Sequence, residues 1–298
     1  MKSNPLGYVF ALLAFTIFSV QDAVSKHLGM SYPPVFVGMI RYWAFAAFAI
    51  FFAMRSRDGL IAAFRTERPW LQILRGVLLA SQIPIAITSF TVVGLAQSQA
   101  VFASGPLFVA LLSVPILGEK VGWRRWTAIG VGLCGVLLIL GPNATGEMDI
   151  AVVLPLIVAV TGAFYGIITR LVSRVDGPVT SFFYIGIVGA VELTLIGPFF
   201  WVEVLPSDWK WLLLLCCTGI VGHFMLIKAY DNLAAVALQP ITYIQLVLVS
   251  IIAVVVFNET LHFNMVLGSL IVVGAGLFTV WREHVLLRQA REKAAADQ

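Results

Sequence analysis

The chain has 298 residues, 60% hydrophobic and only 11% charged, with a mean hydropathy of +0.97. Soluble globular proteins carry about 25% charged residues, so an ordinary wetted surface is excluded and a polytopic, all-α integral membrane protein is indicated. The net charge of +4 does not argue for a nucleic-acid partner, because no Arg/Lys-rich patch interleaved with aromatics occurs outside the loops and tail, and an excess on one membrane face gives the same balance.

Apolar runs bounded by charges, Gly, Pro or Asn predict ten crossings at about 5–27, 34–54, 69–93, 96–117, 123–141, 149–170, 178–202, 208–230, 233–257 and 263–281. The first run continues as "FSVQDAVSKHLG" with no small-residue cleavage site, and is read as a retained span. On it, Asp22 and Lys26 are four apart and share a helix face. Arg41 on the second segment lies at similar depth. The group reads either as an ion-paired outer lock or as a recognition site for a zwitterionic or charged cargo.

The third segment carries Arg75, placed to snorkel toward the nearer interface or to pair at an inner gate. It also carries "SQIP", where Pro84 removes a backbone donor beside Ser81 and Gln82. The fourth presents Gln99, Phe102 and Pro106; the sixth presents Tyr165; the ninth presents Gln239, Tyr243 and Gln245. Amides and phenols bond polar cargo without the desolvation cost of full charges, and rings stack on planar groups. The competing reading is interhelical glue. Glu192, in "GAVELTLIG" on the seventh segment, is a carboxyl suited to proton coupling, and His223 on the eighth is either a relay or a packing residue.

Gly130, Gly132 and Gly135 on the fifth segment, and Gly268, Gly274 and Gly276 on the tenth, read as close-packing positions joining the two halves or forming a homodimer contact. Cys134, Cys216 and Cys217 show no disulfide or metal-ligand spacing, and neither metal nor cofactor is expected. From Arg282 onward the chain is a polar, helix-prone tail.

With the N-terminus on one side, every Lys and Arg outside the spans except Lys26 and Lys210 falls on that same side. Lys and Arg favour the cytoplasm, so both termini are expected there. The pattern also exposes an internal repeat. "PILGEKVGWRRW" at 115–126 aligns with "VVFNETLHFNMV" at 255–266, keeping Glu119 as Glu259 but replacing Lys120, Arg124 and Arg125 with Thr260, Asn264 and Met265. In the same ungapped alignment Gln99 lies over Gln239; for the earlier segments, Lys26 lies over Arg170 and Pro34 over Pro178. Five spans per repeat is an odd number, so the second copy enters the membrane inverted, and its loops shed the bases that belong on the other face. The expected architecture is ten helices in two inverted five-helix repeats around a central cavity, with residues 1–142 and 143–282 as the repeats and 283–298 as the tail. Glu119 and Glu259 are expected to cap helix ends near the following helix starts.

"PLFVALLSVPILGE" followed by "RRWTAIGVGLCGVLLIL" resembles the EamA-type members of the drug/metabolite transporter superfamily over essentially the whole chain. The second half keeps "NE" and its glycines but has Leu246 where the first has Pro106, and offers Pro240 instead. "QDAVSKHLG", "IRYWAF" and "PWLQILRG" are similar to the branch with bacterial S-adenosylmethionine and riboflavin uptake proteins. The resemblance implies a carrier in the bacterial inner membrane, with its cavity built from the first, third, fourth, sixth, eighth and ninth helices. Inverted repeats allow a midplane site to open to either side in turn, so the expected activity is secondary transport of a small organic metabolite. Export of amino acids or drugs is the alternative, and a non-transporting receptor or assembly factor a distant one. Neither a Walker A pattern nor HExxH occurs, which argues against ATP hydrolysis and intramembrane catalysis.

Overall fold

The computed structural model describes residues 5–56, 59–118, 122–141, 150–173, 175–233 and 235–296. The helices in chain order are α1 (Pro5–Gly29), α2 (Pro34–Met54), the short α3 (Gly59–Phe64), α4 (Pro69–Val92), α5 (Leu95–Phe102), α6 (Gly105–Leu117) and α7 (Trp123–Ile139). They continue as α8 (Val153–Val172), α9 (Pro178–Ile196), α10 (Trp209–Asn232), α11 (Ala235–Phe257) and α12 (Phe263–Ala296). Nine crossings among the described residues are long and apolar enough to span a bilayer, with α5 and α6 together forming one of them. The 17-residue α7 supplies the tenth.

Local sequence sets the ends. Pro34, Pro69 and Pro178 each open a helix, where proline's missing N–H would have had no partner and its fixed φ suits the first turn. Gly118 closes α6 in the left-handed conformation at φ 66°. The fourth crossing, expected as one helix, is divided at Ala103 and Ser104, immediately before Gly105 and Pro106. A proline ring clashes with the carbonyl four residues earlier, which is that of Phe102. The ninth crossing has no proline at this point, and α11 runs through its Pro240 unbroken. The tenth, expected to end near 281, continues as α12 to Ala296, so the polar tail prolongs the membrane helix.

The packing is two-fold symmetric. Exchanging the halves maps α1, α2, α4, α5–α6 and α7 onto α8, α9, α10, α11 and α12. The main interhelical contacts obey that exchange: α1 lies along α10 as α8 lies along α4; α1 packs on α11 as α8 packs on α5 and α6; α4 meets α9 as α10 meets α2. Two pairs are self-symmetric, α2 with α9 and α7 with α12. At the α1–α10 crossing the Phe18 ring lies 2.6 Å from where a Gly222 side chain would begin. At the α4–α8 crossing Gln82 approaches the same point of Gly162 at 3.3 Å. Phe18 aligns with Gly162 in the offset that places Pro34 over Pro178, and Gln82 aligns with Gly222 in the offset that places Glu119 over Glu259. The two crossings are therefore one contact, repeated. Since lipid tails are as apolar as Leu, close approach of small residues drives such packing.

At the α7–α12 seam, Gly135 and Gly268 each lie against the other's backbone carbonyl, at 2.9 and 2.6 Å from their would-be Cβ positions, and Gly132 meets Leu107 and Ala275. Gly130 and Gly274 have no neighbour within 4 Å, so they take no part in the close packing expected of them.

Candidate functional site

A polar group spans both halves in mid-bundle. Gln245 on α11 donates through Nε2 to Asp22 Oδ2 on α1 at 2.8 Å. Arg41 on α2 is within electrostatic reach of Asp22 and of His223 on α10. Arg41 makes no hydrogen bond among the described residues. Its Nε lies 3.6 Å, and Gln21 Oε1 3.4 Å, from the point where a Gly219 side chain would start. Arg41 and Gln21 thus meet at one point of α10, and Gln21 Oε1 is buried without a protein partner. The result is a carboxylate and a guanidinium within electrostatic reach of each other but not ion-paired, each able to take an ionic group of opposite sign, with amides nearby that donate or accept.

Farther along the bundle, Tyr42 lies over Gly189 of α9, its ring 2.1 Å from that residue's would-be Cβ. Tyr42 is within electrostatic reach of Arg41, Tyr165 and Glu192, and its hydroxyl has no protein partner. Glu192 accepts from Ser81 Oγ at 2.5 Å through one oxygen, while the other is unpartnered. Gln82 Oε1 and Gln99 Oε1 are also buried without a protein partner. Unpaired polar atoms are costly in a bilayer, so each of these is a position where polar cargo would gain.

Other expected residues go elsewhere. Lys26 does not pair with Asp22; it reaches Glu259 in the α11–α12 connection and lies 4.8 Å from the centre of the Phe257 ring. Glu259 caps no end of its own helix pair: it accepts from the N–H groups of Leu95 and Ala96, at 2.7 and 3.0 Å, at the start of α5. Asn258, in the left-handed conformation at φ 53°, turns the chain to make this possible, a backbone that Asn tolerates better than most residues. Arg75 does not snorkel. It is 1% exposed and donates to Gln72 Oε1 and the Ser181 carbonyl, both at 2.7 Å, with its guanidinium 6.0 Å from the Tyr165 ring centre.

His223 is wedged between Phe18 and Phe45, ring centres 5.1 and 5.2 Å away, with Nδ1 on the Gly219 carbonyl at 2.8 Å, which is a packing environment. Phe102 pairs with Phe90 at 5.6 Å, and the Tyr243 hydroxyl lies 1.8 Å from the would-be Cβ of Gly276, against α12. Glu119 and the Gln239 side chain lie outside the described residues.

Two further ties join the halves at opposite membrane faces. Tyr32, between α1 and α2, donates to Asp208 at 2.7 Å and accepts from the Leu205 N–H at 3.1 Å. Asp176, between α8 and α9, accepts from Gln72 at 2.7 Å and from Thr66. Tyr32 and Asp176 each stand two residues before the paired prolines Pro34 and Pro178, so the repeat alignment marks both. Gln21 and Tyr42 carry no sequence signal of their own, since each adjoins a more conspicuous charge, Asp22 or Arg41.

The comparisons with known proteins agree with this architecture. The S-adenosylmethionine uptake transporter of Rickettsia prowazekii (strain Madrid E) is 27% identical over 95% of each chain. The riboflavin transporter of Vibrio cholerae serotype O1 is 28% identical over 94% of this chain and 95% of the relative. The pseudopaline exporter of Pseudomonas aeruginosa (strain UCBPP-PA14) is 25% identical over 81% and 84%. A solved crystal structure superposes with a TM-score of 0.61 over 95% of this chain and 98% of that one, at 18% identity, a likeness of fold. Residues 5–141 and again 149–281 match one and the same family, and by that double match the chain belongs to the EamA-like transporter family.

Proposed function

We propose that this transporter takes up a small organic metabolite bearing both an anionic and a cationic group, of the S-adenosylmethionine type, by alternating access. The observation that carries the reading is the electrostatic coupling of Asp22 and Arg41 without an ion pair between them, with Asp22 tied to the other half through Gln245. The carboxylate receives the cationic part of the cargo and the guanidinium its carboxylate. Gln21, Gln82 and Gln99, whose side-chain oxygens lack protein partners, supply neutral hydrogen bonds. The names of relatives similar along the whole chain support this class of cargo.

The halves rock against each other about the α7–α12 and α2–α9 seams. The tie of Lys26, Glu259 and the α5 N-terminus closes one face; Asp176 with Thr66 and Gln72 closes the other. Glu192 is the proton-coupling candidate. The bias of Lys and Arg in the loops puts both termini in the cytoplasm of a bacterial cell, which makes the Lys26–Glu259 face external.

The test is uptake of labelled S-adenosylmethionine, riboflavin and free amino acids into proteoliposomes, with and without a pH gradient. Saturable S-adenosylmethionine uptake that D22N lowers roughly 10- to 100-fold is expected. Transport confined to riboflavin or to amino acids overturns the cargo, and the absence of any solute flux overturns the carrier reading.

A further inference from the structure

Away from the polar group, a cleft of about 560 Å³ opens between α7 and α12 at the end of the bundle that carries the basic loops. Its rim holds Arg124 and Arg282, flanked by Trp123 and Trp281, and its floor is apolar, with Val131 and Phe278 among the residues there. Arg124 is the second residue of α7. The helices run antiparallel here, so Arg282, past the middle of α12, comes to the same level. Val131 is about 10 Å deeper along the axis at 1.5 Å per residue.

Among the described residues both arginines lack an ion-pair partner, and no described carboxylate lines the cleft. Arg124 lies 5.6 Å from the Trp123 ring and the Phe278 and Trp281 rings are 5.7 Å apart. The tryptophans mark the headgroup level, where such rings concentrate. Two cations at that level with no ion-pair partner among the described residues, above an apolar trough, match one molecule with a charged head and a hydrocarbon tail.

We infer that this cleft binds a single anionic phospholipid, its phosphate between Arg124 and Arg282 and one acyl chain along Val131 and Phe278. Basic pockets between membrane helices on the cytoplasmic side recognise anionic headgroups in this way. A choline headgroup would set a third cation beside the two arginines, and free phosphate would leave the trough unused. A second copy of the chain meeting this face about a two-fold axis would bring four arginines together, since an isologous interface presents the same patch twice.

Native mass spectrometry of the detergent-purified full chain, titrated with phosphatidylglycerol or with phosphatidylcholine of equal chain length, tests the site. Phosphatidylglycerol is expected to bind more tightly by on the order of tenfold. The double variant R124Q/R282Q should lose that preference. R124K/R282K should keep most of it, and R55Q/R65Q, which removes bases from the same face outside the cleft, should keep all of it. Equal binding of the two lipids overturns the inference, as does an equal loss in R55Q/R65Q, or a dimer whose formation expels the lipid. A melting curve of delipidated R124Q/R282Q matching the wild type ties a lost preference to the headgroup contacts; a lowered melt with the preference intact overturns the inference.

Discussion

The Lys26 ammonium on α1 is paired with the Glu259 carboxylate in the α11–α12 connection, and that carboxylate also holds the N–H groups of Leu95 and Ala96. Glu259 is therefore both an ion-pair partner and a helix cap, supplied by one half to the other. Gly94, at φ 110°, brings the α5 N-terminus this close: a side chain there would start 3.2 Å from Glu259 Oε2.

These two roles separate in mutants. Hydrogen bonds to charged groups contribute roughly 1.5–3 kcal/mol each, so E259A should cost about 3 kcal/mol in a detergent unfolding assay. K26A should cost less, because the cap survives it. The reversed pair K26E/E259K restores opposite charges but points an ammonium at a helix N-terminus, where positive charge is unfavourable. It should stay as unstable as E259A; full recovery would show that the Coulomb pairing alone matters.

Asp22 and Gln245 make the opposite case, a contact whose chemistry outweighs its structural part. In D22N the new side-chain oxygen still accepts from Gln245, so the melting temperature should hold. Transport efficiency should fall roughly 10- to 100-fold, the equivalent of one charged hydrogen bond. R41K keeps the charge but loses the planar fork that binds a carboxylate through two donors, and should raise KM more than it lowers kcat. Unchanged uptake kinetics in both variants would remove this group from the site.

The spans were legible because hydrocarbon thickness fixes their length, and Pro34, Pro69 and Pro178 declared three of their starts. The repeat was legible in what the second copy lacks: Thr260 and Met265 stand where Lys120 and Arg125 stand in the first. Partners were not. Four-residue spacing made Asp22 the natural mate of Lys26, while the actual mate is 233 residues away and reached through a turn at Asn258. Arg75 looked like an interfacial anchor because depth alone suggests snorkelling, yet Gln72 and the Ser181 carbonyl satisfy it inside the protein. Periodicity places a side chain on a face; it does not say which helix covers that face.

Glu192 yields a prediction independent of cargo identity. Gln at this position still accepts from Ser81 but no longer gains or loses a proton. E192Q should therefore abolish accumulation driven by a pH gradient while leaving exchange of internal for external cargo at equal pH intact. Accumulation at the wild-type level in proteoliposomes would exclude Glu192 from coupling.

The α11–α12 contact offers a test of the packing itself. A side chain at Gly276 would begin 1.8 Å from the Tyr243 hydroxyl oxygen and 3.0 Å from the ring carbon that bears it. G276A therefore collides with the hydroxyl first, and overpacking of this kind costs roughly 1–3 kcal/mol. Y243F removes the colliding atom, and because that hydroxyl has no protein partner, the single change should be close to neutral. In the double variant G276A/Y243F only the 3.0 Å approach is left, so more than half of the lost stability should return. If G276A melts with the wild type, or if Y243F brings no recovery, then Tyr243 does not lie on Gly276 and its ring is free to face the polar group between the halves.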